Sequence, residues 1–259
     1  MKKGQRLWTE EELILTMNLY CKLPFGKLHQ NRLEVIELAE LINRTPGSVA
    51  YKLVNLASLD PSLQARGIKG ASNASKLDKK VWDDFYNNWD TLPFESEKLL
   101  SKFRHKNLEE EFYYDTETLP EGLTREAQIK VRVNQSFFRT MIMASYDYTC
   151  CITGIKQPEL LIAGHIKPWG IDPKNRLNPQ NGIAINALHD KAFENGLITI
   201  TPDYEIRVSF ELRKQEKDKA IQKYFTSFHG EKIIEPSRFL PGREFLEWHT
   251  NSRFKGSNH

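Results

Sequence analysis

Three consecutive stretches carry the reading: Leu160-Leu161-Ile162-Ala163-Gly164-His165-Ile166-Lys167-Pro168-Trp169, then Asn178-Pro179-Gln180-Asn181-Gly182, then Ile183-Ala184-Ile185-Asn186-Ala187-Leu188-His189-Asp190. The first is a short apolar run ending in a histidine, the pattern of a buried strand. The second is rich in Asn, Pro and Gly and reads as a turn. The third opens as a short strand over residues 183–185. A short helix over residues 186–193 follows, carrying His189 and stopped by Gly196, and residues 197–200 form another strand. The order is therefore strand, His165, loop, Asn181, strand, helix, His189.

Asn181 and His189 lie eight residues apart. A β-hairpin followed by a helix can gather His165, Asn181 and His189 around one phosphate. Hydrolysis of a phosphodiester needs a base to deprotonate water and a cation to stabilise charge on the phosphate and leaving oxygen. An imidazole serves as the base near neutral pH without a large pKa shift. His165, at the end of the first strand, is the candidate base. His189, on the facing helix, is the candidate metal ligand. The Asn181 amide is suited to pinning the loop through backbone hydrogen bonds. Trp169 reads as a packing residue rather than a DNA contact.

Working outward, residues 135–139 lie on a helix expected to end near Tyr146. Cys150-Cys151-Ile152-Thr153-Gly154 is a short strand or turn. Taken together, Cys-Ile-Thr-Gly, Ala-Gly-His-Ile-Lys-Pro-Trp, Asn-Pro-Gln-Asn-Gly and Leu-His-Asp-Lys-Ala-Phe-Glu-Asn-Gly-Leu-Ile resemble an HNH endonuclease of the bacterial restriction-type subgroup. The resemblance covers about residues 135–212. It implies a ββα-metal fold that cuts DNA with one divalent cation, Mg2+ in the first place and Mn2+ or Ni2+ as alternatives. His165 is then the general base, Asn181 the hairpin-organising residue and His189 a metal ligand. Two departures stand out. Many members carry an acidic residue or histidine just before the base, where this chain has Gly164, so Asp190 or Glu194 is nominated as the second ligand. Many members also hold a structural zinc with two Cys-x-x-Cys pairs, which Cys150 and Cys151 cannot supply; these two cysteines read as buried packing residues.

Residues 6–92 read as helical. Thr9 with Glu12 forms a capping box, so a helix begins at Glu10, with Leu13, Met17 and Tyr20 on one face. Pro24 and Gly26 end it. A second helix fits residues 33–42. Thr45 caps a third, with Pro46 at its favoured first position. On that third helix Val49, Leu53 and Leu56 share a face, and Ser48, Tyr51, Lys52 and Asn55 lie opposite. Trp-Thr-Glu-Glu-Glu-Leu, Leu-Ala-Glu-Leu-Ile-Asn-Arg-Thr-Pro-Gly-Ser-Val and Lys52-Leu53 resemble a Myb/SANT-type helix-turn-helix over about residues 6–57. The resemblance implies double-stranded DNA contacts by Arg44, Ser48, Tyr51, Lys52 and Asn55. The connection over residues 23–31 is longer than that pattern has.

The fold class expected is α+β: a helical DNA-recognition domain over 1–92, a linker over 93–123 and a nuclease domain over 124–259. The 259 residues can bury a sizeable core, and a net charge of +3 is compatible with nucleic acid without proving it. Three cysteines exclude both a disulfide scaffold and a four-cysteine zinc site. No stretch is apolar enough to span a bilayer. The basic start lacks an apolar run behind it, so the expected setting is the bacterial cytoplasm, beside the nucleoid. Tyr224, Phe225, Phe228, Phe245 and Trp248 look exposed in sequence and can pack either on their own domain or on a partner subunit; cutting both strands of a duplex needs two sites, so a homodimer is expected. The rival class is a DNA-binding regulator on an inactive HNH fold, kept open by Gly164. An RNA or structure-specific nuclease is the third.

Overall fold

A computed structural model of the chain describes residues 6–68, 73–86, 88–89, 92–107 and 124–256. It divides into two compact units, Met1–Met141 and Ile142–His259.

The first unit is built on α1 (Glu10–Lys22), α2 (Leu33–Leu41) and α3 (Pro46–Ala57). The capping box is formed: the Glu12 amide donates to Thr9 Oγ1 at 3.2 Å and the Thr9 amide to Glu12 Oε2 at 3.0 Å. Leu13, Met17, Tyr20, Val49, Leu53 and Leu56 are fully buried between these helices. Arg44, in the turn before α3, donates to Glu12 Oε2 at 2.7 Å, and its guanidinium lies 4.0 Å from the Trp8 ring centre. Burial pushes the Glu12 carboxyl up, but the bonds from Arg44, the Thr9 amide and Arg6 outweigh it and hold it below its ordinary value.

Three further helices complete the unit: α4 (Pro61–Ala65), α5 (Lys76–Tyr86) and α6 (Leu92–Phe103). α6 occupies the start of the stretch expected as a linker. It packs on α1 through Asn18, whose Nδ2 donates to Ser96 Oγ at 2.8 Å and Glu97 Oε1 at 2.6 Å, and through a Lys22–Glu97 ion pair. Residues 108–123 lie outside the described residues. The long helix α7 (Arg125–Ser145) follows, and the division between the units falls within it.

α5 also changes the reading of α3. Lys52 and Asn55 do not lie on a solvated face but are buried, and Lys52 Nζ sits 2.8 Å from both oxygens of the fully buried Asp78 on α5. A three-helix pattern leaves that side of α3 open; a further helix covers it. Removing one partner of a buried ion pair strands the other charge. Lys52→Ala should therefore lower the unfolding free energy by about 3–5 kcal/mol, measured by urea denaturation, and Lys52→Ala with Asp78→Ala should lose less than the single change.

The second unit holds two small antiparallel sheets. β1 (Leu161–His165) pairs with β2 (Gly182–Asn186) in a register that sets His165 opposite Gly182 and Leu161 opposite Asn186. α8 (Ala187–Glu194) follows at once, capped by Asn186, whose side chain accepts from the His189 amide at 3.1 Å. Gly196 ends it with φ +70°, and a Cβ there would meet the carbonyl oxygen of Arg253 at 2.0 Å. Only glycine satisfies both the turn and that approach. β3 (Ile198–Ile200) pairs with β4 (Ile206–Val208), and α9 (Phe210–Arg213), α10 (Lys219–Tyr224) and α11 (Arg243–Ser252) complete the unit.

α11 is anchored on β3 by His249, which is buried, stacks on Phe193 at 3.6 Å, contacts Thr199 Oγ1 at 2.8 Å through Nδ1 and the Phe193 carbonyl at 3.1 Å through Nε2. Burial pulls its pKa down to about 4, although the Phe193 carbonyl opposes the shift. The neutral ring thus stabilises the fold fully above pH 6.5, and that contribution, about 3 kcal/mol, is lost as pH falls towards 4. An NMR titration of the His249 ring should show a midpoint far below 6.5, and one near 6.5 would contradict this packing.

Candidate active site

The hairpin places His165 at the end of β1, and Asn181 sits immediately before the start of β2. Asn181 is fully buried. Its Oδ1 accepts from the Lys167 amide at 2.8 Å, and its Nδ2 donates to the carbonyls of Lys167 at 3.0 Å and Asn175 at 3.2 Å. Its own carbonyl accepts from the Ile166 amide at 3.0 Å. One amide side chain thus ties together both ends of the loop between the strands. Inside that loop Lys167 pairs with Asp172 at 3.1 Å.

The tied loop delivers two groups to the His165 ring. The Arg176 carbonyl lies 2.9 Å from Nε2, and the Trp169 indole Nε1 lies 2.6 Å from the same atom. The two rings meet edge to face, with centres 5.4 Å apart. Burial lowers the His165 pKa to about 4 against the opposing pull of the Arg176 carbonyl. The ring is neutral at neutral pH, the state in which an imidazole accepts a proton.

α8 presents two neighbouring candidates, and the structure separates them. His189 is buried. Its Nδ1 lies 2.8 Å from Asn186 Nδ2, its Nε2 lies 2.7 Å from the Tyr224 carbonyl, and Phe225 and Phe228 pack on the ring with centres 5.3 and 5.7 Å away. Both ring nitrogens are engaged by the protein. In this structure the His189 ring locks α8 to its N-cap and to the end of α10. The reason is helical geometry, since successive residues diverge by about 100°, and the Asn186 cap turns His189 inward.

Asp190 takes the other direction. A Cβ added at Gly164 would lie 2.8 Å from Asp190 Oδ1 and 3.3 Å from Ile185 Cγ2. The carboxylate therefore occupies the space that a side chain at position 164, next to His165, would fill. Burial, then the nearby Glu194 charge, raises its pKa to about 6, with Lys191 opposing. Glu194, the other nominee, is exposed and pairs with Lys191 at 3.3 Å.

These donors suit one kind of metal binding. Among the described residues no group of three or more His, Cys, Asp or Glu forms a metal cage. A hard cation such as Mg2+ commonly takes one or two carboxylates, with the rest of its shell from water and substrate phosphate. A half-buried carboxylate, in a gap left by a glycine beside the candidate base, fits that description.

In the first unit, a groove of 1170 Å³ is lined by Arg6, Trp8, Arg44, Ser48, Lys52 and Lys76 among others. Arg44 and Lys52 reach it with their charges already paired to Glu12 and Asp78. Tyr51 is half exposed, and its hydroxyl accepts from Asn73 at 3.0 Å. The aromatics expected at a dimer interface are largely spent within their own unit: Phe245 is buried, and Phe225 and Phe228 cover His189, whereas Tyr224 is exposed.

Sequence reasoning missed the Arg176 carbonyl, because a backbone acceptor leaves no mark in residue identity. The Trp169 contact had a faint signal in the four-residue spacing from His165. Among the described residues no helix is long and apolar enough to cross a membrane. No curated protein matches the chain. Residues 150–201, which hold the hairpin, its tied loop and α8, match the HNH_2 family model, described as HNH endonuclease, and the match supports an HNH nuclease.

Proposed function

We propose that this protein is a metal-dependent DNA endonuclease of restriction type, acting on foreign or modified DNA. The observation that carries it is the gathering of His165, Asn181 and Asp190 on one hairpin–helix unit inside the segment that matches the nuclease family. His165 accepts the proton of the attacking water. Asn181 holds the loop that brings the Arg176 carbonyl to Nε2, which orients the imidazole. Asp190, together with oxygens of the substrate phosphate, would hold the divalent cation, with Mg2+ first in line. When bound, the cation supplies charge stabilisation on the phosphate and the leaving oxygen. Double-stranded DNA is the proposed partner, with contacts in the first unit through Ser48, Tyr51 and the cationic groove lined by Arg44 and Lys52. A homodimer is proposed only on the ground that a single site attacks one strand at a time.

The deciding assay incubates the full chain with modified and unmodified plasmids plus Mg2+, Mn2+ or Ni2+, with chelator as control. Cleavage should need the cation, and His165→Ala should slow it by about 10²–10⁴ while leaving DNA binding, which rests mainly on phosphate contacts, near wild type. Undiminished cleavage by His165→Ala would remove this residue from the mechanism.

Gly164→Ala tests the carboxylate's place. The added methyl crowds Asp190 Oδ1. The Mg2+ concentration for half-maximal cleavage should rise by about tenfold or more, the scale seen when groups supporting a metal ligand are disturbed, and Asp190→Asn should raise it at least as far. An unchanged requirement in both variants would place the cation elsewhere.

A further inference from the structure

His165, Asn181 and Asp190 include no cation. The imidazole is neutral at neutral pH, the Asn181 amide is spent on the loop, and Asp190 is an acid. A phosphodiester brought to His165 is an anion, and hydrolysis builds further negative charge on its oxygens. Such a step is helped most by donors already aimed at those oxygens. Three basic residues stand on the loop between β1 and β2: Lys167, Lys174 and Arg176. Lys167 is half-buried and paired with Asp172 at 3.1 Å. Lys174 is exposed on the short turn Pro173–Asn175. Arg176 differs from both, because its own backbone meets the candidate base.

The Arg176 carbonyl lies 2.9 Å from His165 Nε2, and Asn181 Nδ2 holds the preceding carbonyl, that of Asn175, at 3.2 Å. Given ordinary C=O and Cα–C bond lengths, the Arg176 Cα therefore lies within about 6 Å of that ring nitrogen. The root of the side chain is thus fixed beside the base. Arg176 is exposed and forms no ion pair among the described residues. Its guanidinium rests 5.7 Å from the Trp169 ring centre, and that indole meets the His165 ring edge to face. The distance is near the outer limit of a cation–π contact, so the head group is lightly held. A phosphate offers the same planar fork two charge-assisted bonds, which are stronger.

We propose that Arg176 is a catalytic residue whose guanidinium leaves its rest on Trp169 to grip the non-bridging oxygens of the phosphodiester presented to His165. The proposal rests on the reading of His165 as the general base of a nuclease. Arg176 then acts through two groups at once. Its peptide carbonyl meets the base, and its side chain holds the anion that the activated water attacks. The Asn181-tied loop sets the spacing between them, which is how a scaffold turns binding into orientation.

The test uses the full chain and two readouts. Arg176→Ala keeps the peptide carbonyl and should slow single-turnover plasmid cleavage at saturating DNA by about 10²–10³, the scale of one lost preorganised donor. Arg176→Lys keeps the charge without the fork and should fall between the alanine variant and the wild type. The second readout is binding in Ca2+, without chemistry, to a short duplex bearing either an ordinary phosphate or a neutral methylphosphonate at the mapped cut position. Removing the guanidinium and neutralising that phosphate delete the same contact, so the two losses of affinity should not add. On the ordinary duplex, the slope of log affinity against log salt should shrink by about one in Arg176→Ala. Wild-type cleavage by Arg176→Ala, a lysine variant no faster than alanine, additive losses or an unchanged salt slope each overturn the proposal. If Arg176→Ala does not fold, Arg176→Gln takes its place in both readouts with the same outcomes. Absence of cleavage by the wild type with Mg2+, Mn2+ and Ni2+ sinks the nuclease reading and this proposal with it, whereas a cleaving wild type with an indifferent Arg176→Ala sinks the proposal alone.

Discussion

The second unit's site depends on one buried amide. Asn181 accepts the Lys167 N–H and donates to the Lys167 and Asn175 carbonyls. Those peptide groups belong to a loop with no strand partner of its own, so without Asn181 they would be left to desolvation at about 1–3 kcal/mol each. A charged residue could not replace it, because the site requires one acceptor and one donor head on the same planar group. Fixing that loop also fixes Trp169 and Arg176, whose groups meet the His165 ring. The His165 ring is thus met by a peptide carbonyl, that of Arg176, which the Asn181-tied loop presents.

Much of this was legible from residue types. The strand ending in His165, the Asn-Pro-Gln-Asn-Gly turn, the second strand and the short helix stopped by Gly196 all follow from apolar runs bounded by turn formers. Gly196 shows why such a stop is reliable: its φ of +70° and the approach of the Arg253 carbonyl admit no side chain. The Thr9 and Thr45 caps were equally plain, because capping is a local exchange between a side chain and an amide three residues on.

What was not legible depends on partners distant in sequence. Lys52 and Asn55 have the look of a solvated face, and nothing near them announces that Asp78 will arrive on α5 to bury them. The lysine's charge is retained in the interior because the aspartate meets it with both oxygens at 2.8 Å. The aromatics after β4 left two readings open for the same reason. Phe225 and Phe228 could serve their own domain or a second copy of the chain, and they close over His189. Periodicity reports which residues share a face but is silent on what comes to cover it.

The adjacent pair His189 and Asp190 makes the sharpest case. In sequence the histidine is the better metal ligand and the glycine at 164 looks like a loss. In three dimensions the two facts compensate. The Asn186 cap and the Tyr224 carbonyl claim the imidazole from both sides, and the turn of the helix then aims the next residue at β1. A side chain on the strand at position 164 would collide with that carboxylate at 2.8 Å, so an acid on the helix and a glycine on the strand are sterically one choice. The carboxylate's preference for its proton, raised by burial and by Glu194 against the pull of Lys191, is the cost of holding an anion there. A divalent ion at the same point would remove that cost, since opposite charge at close range favours the ionised form. The bare glycine on the strand and the crowded acid on the helix are thus two views of a single packing solution.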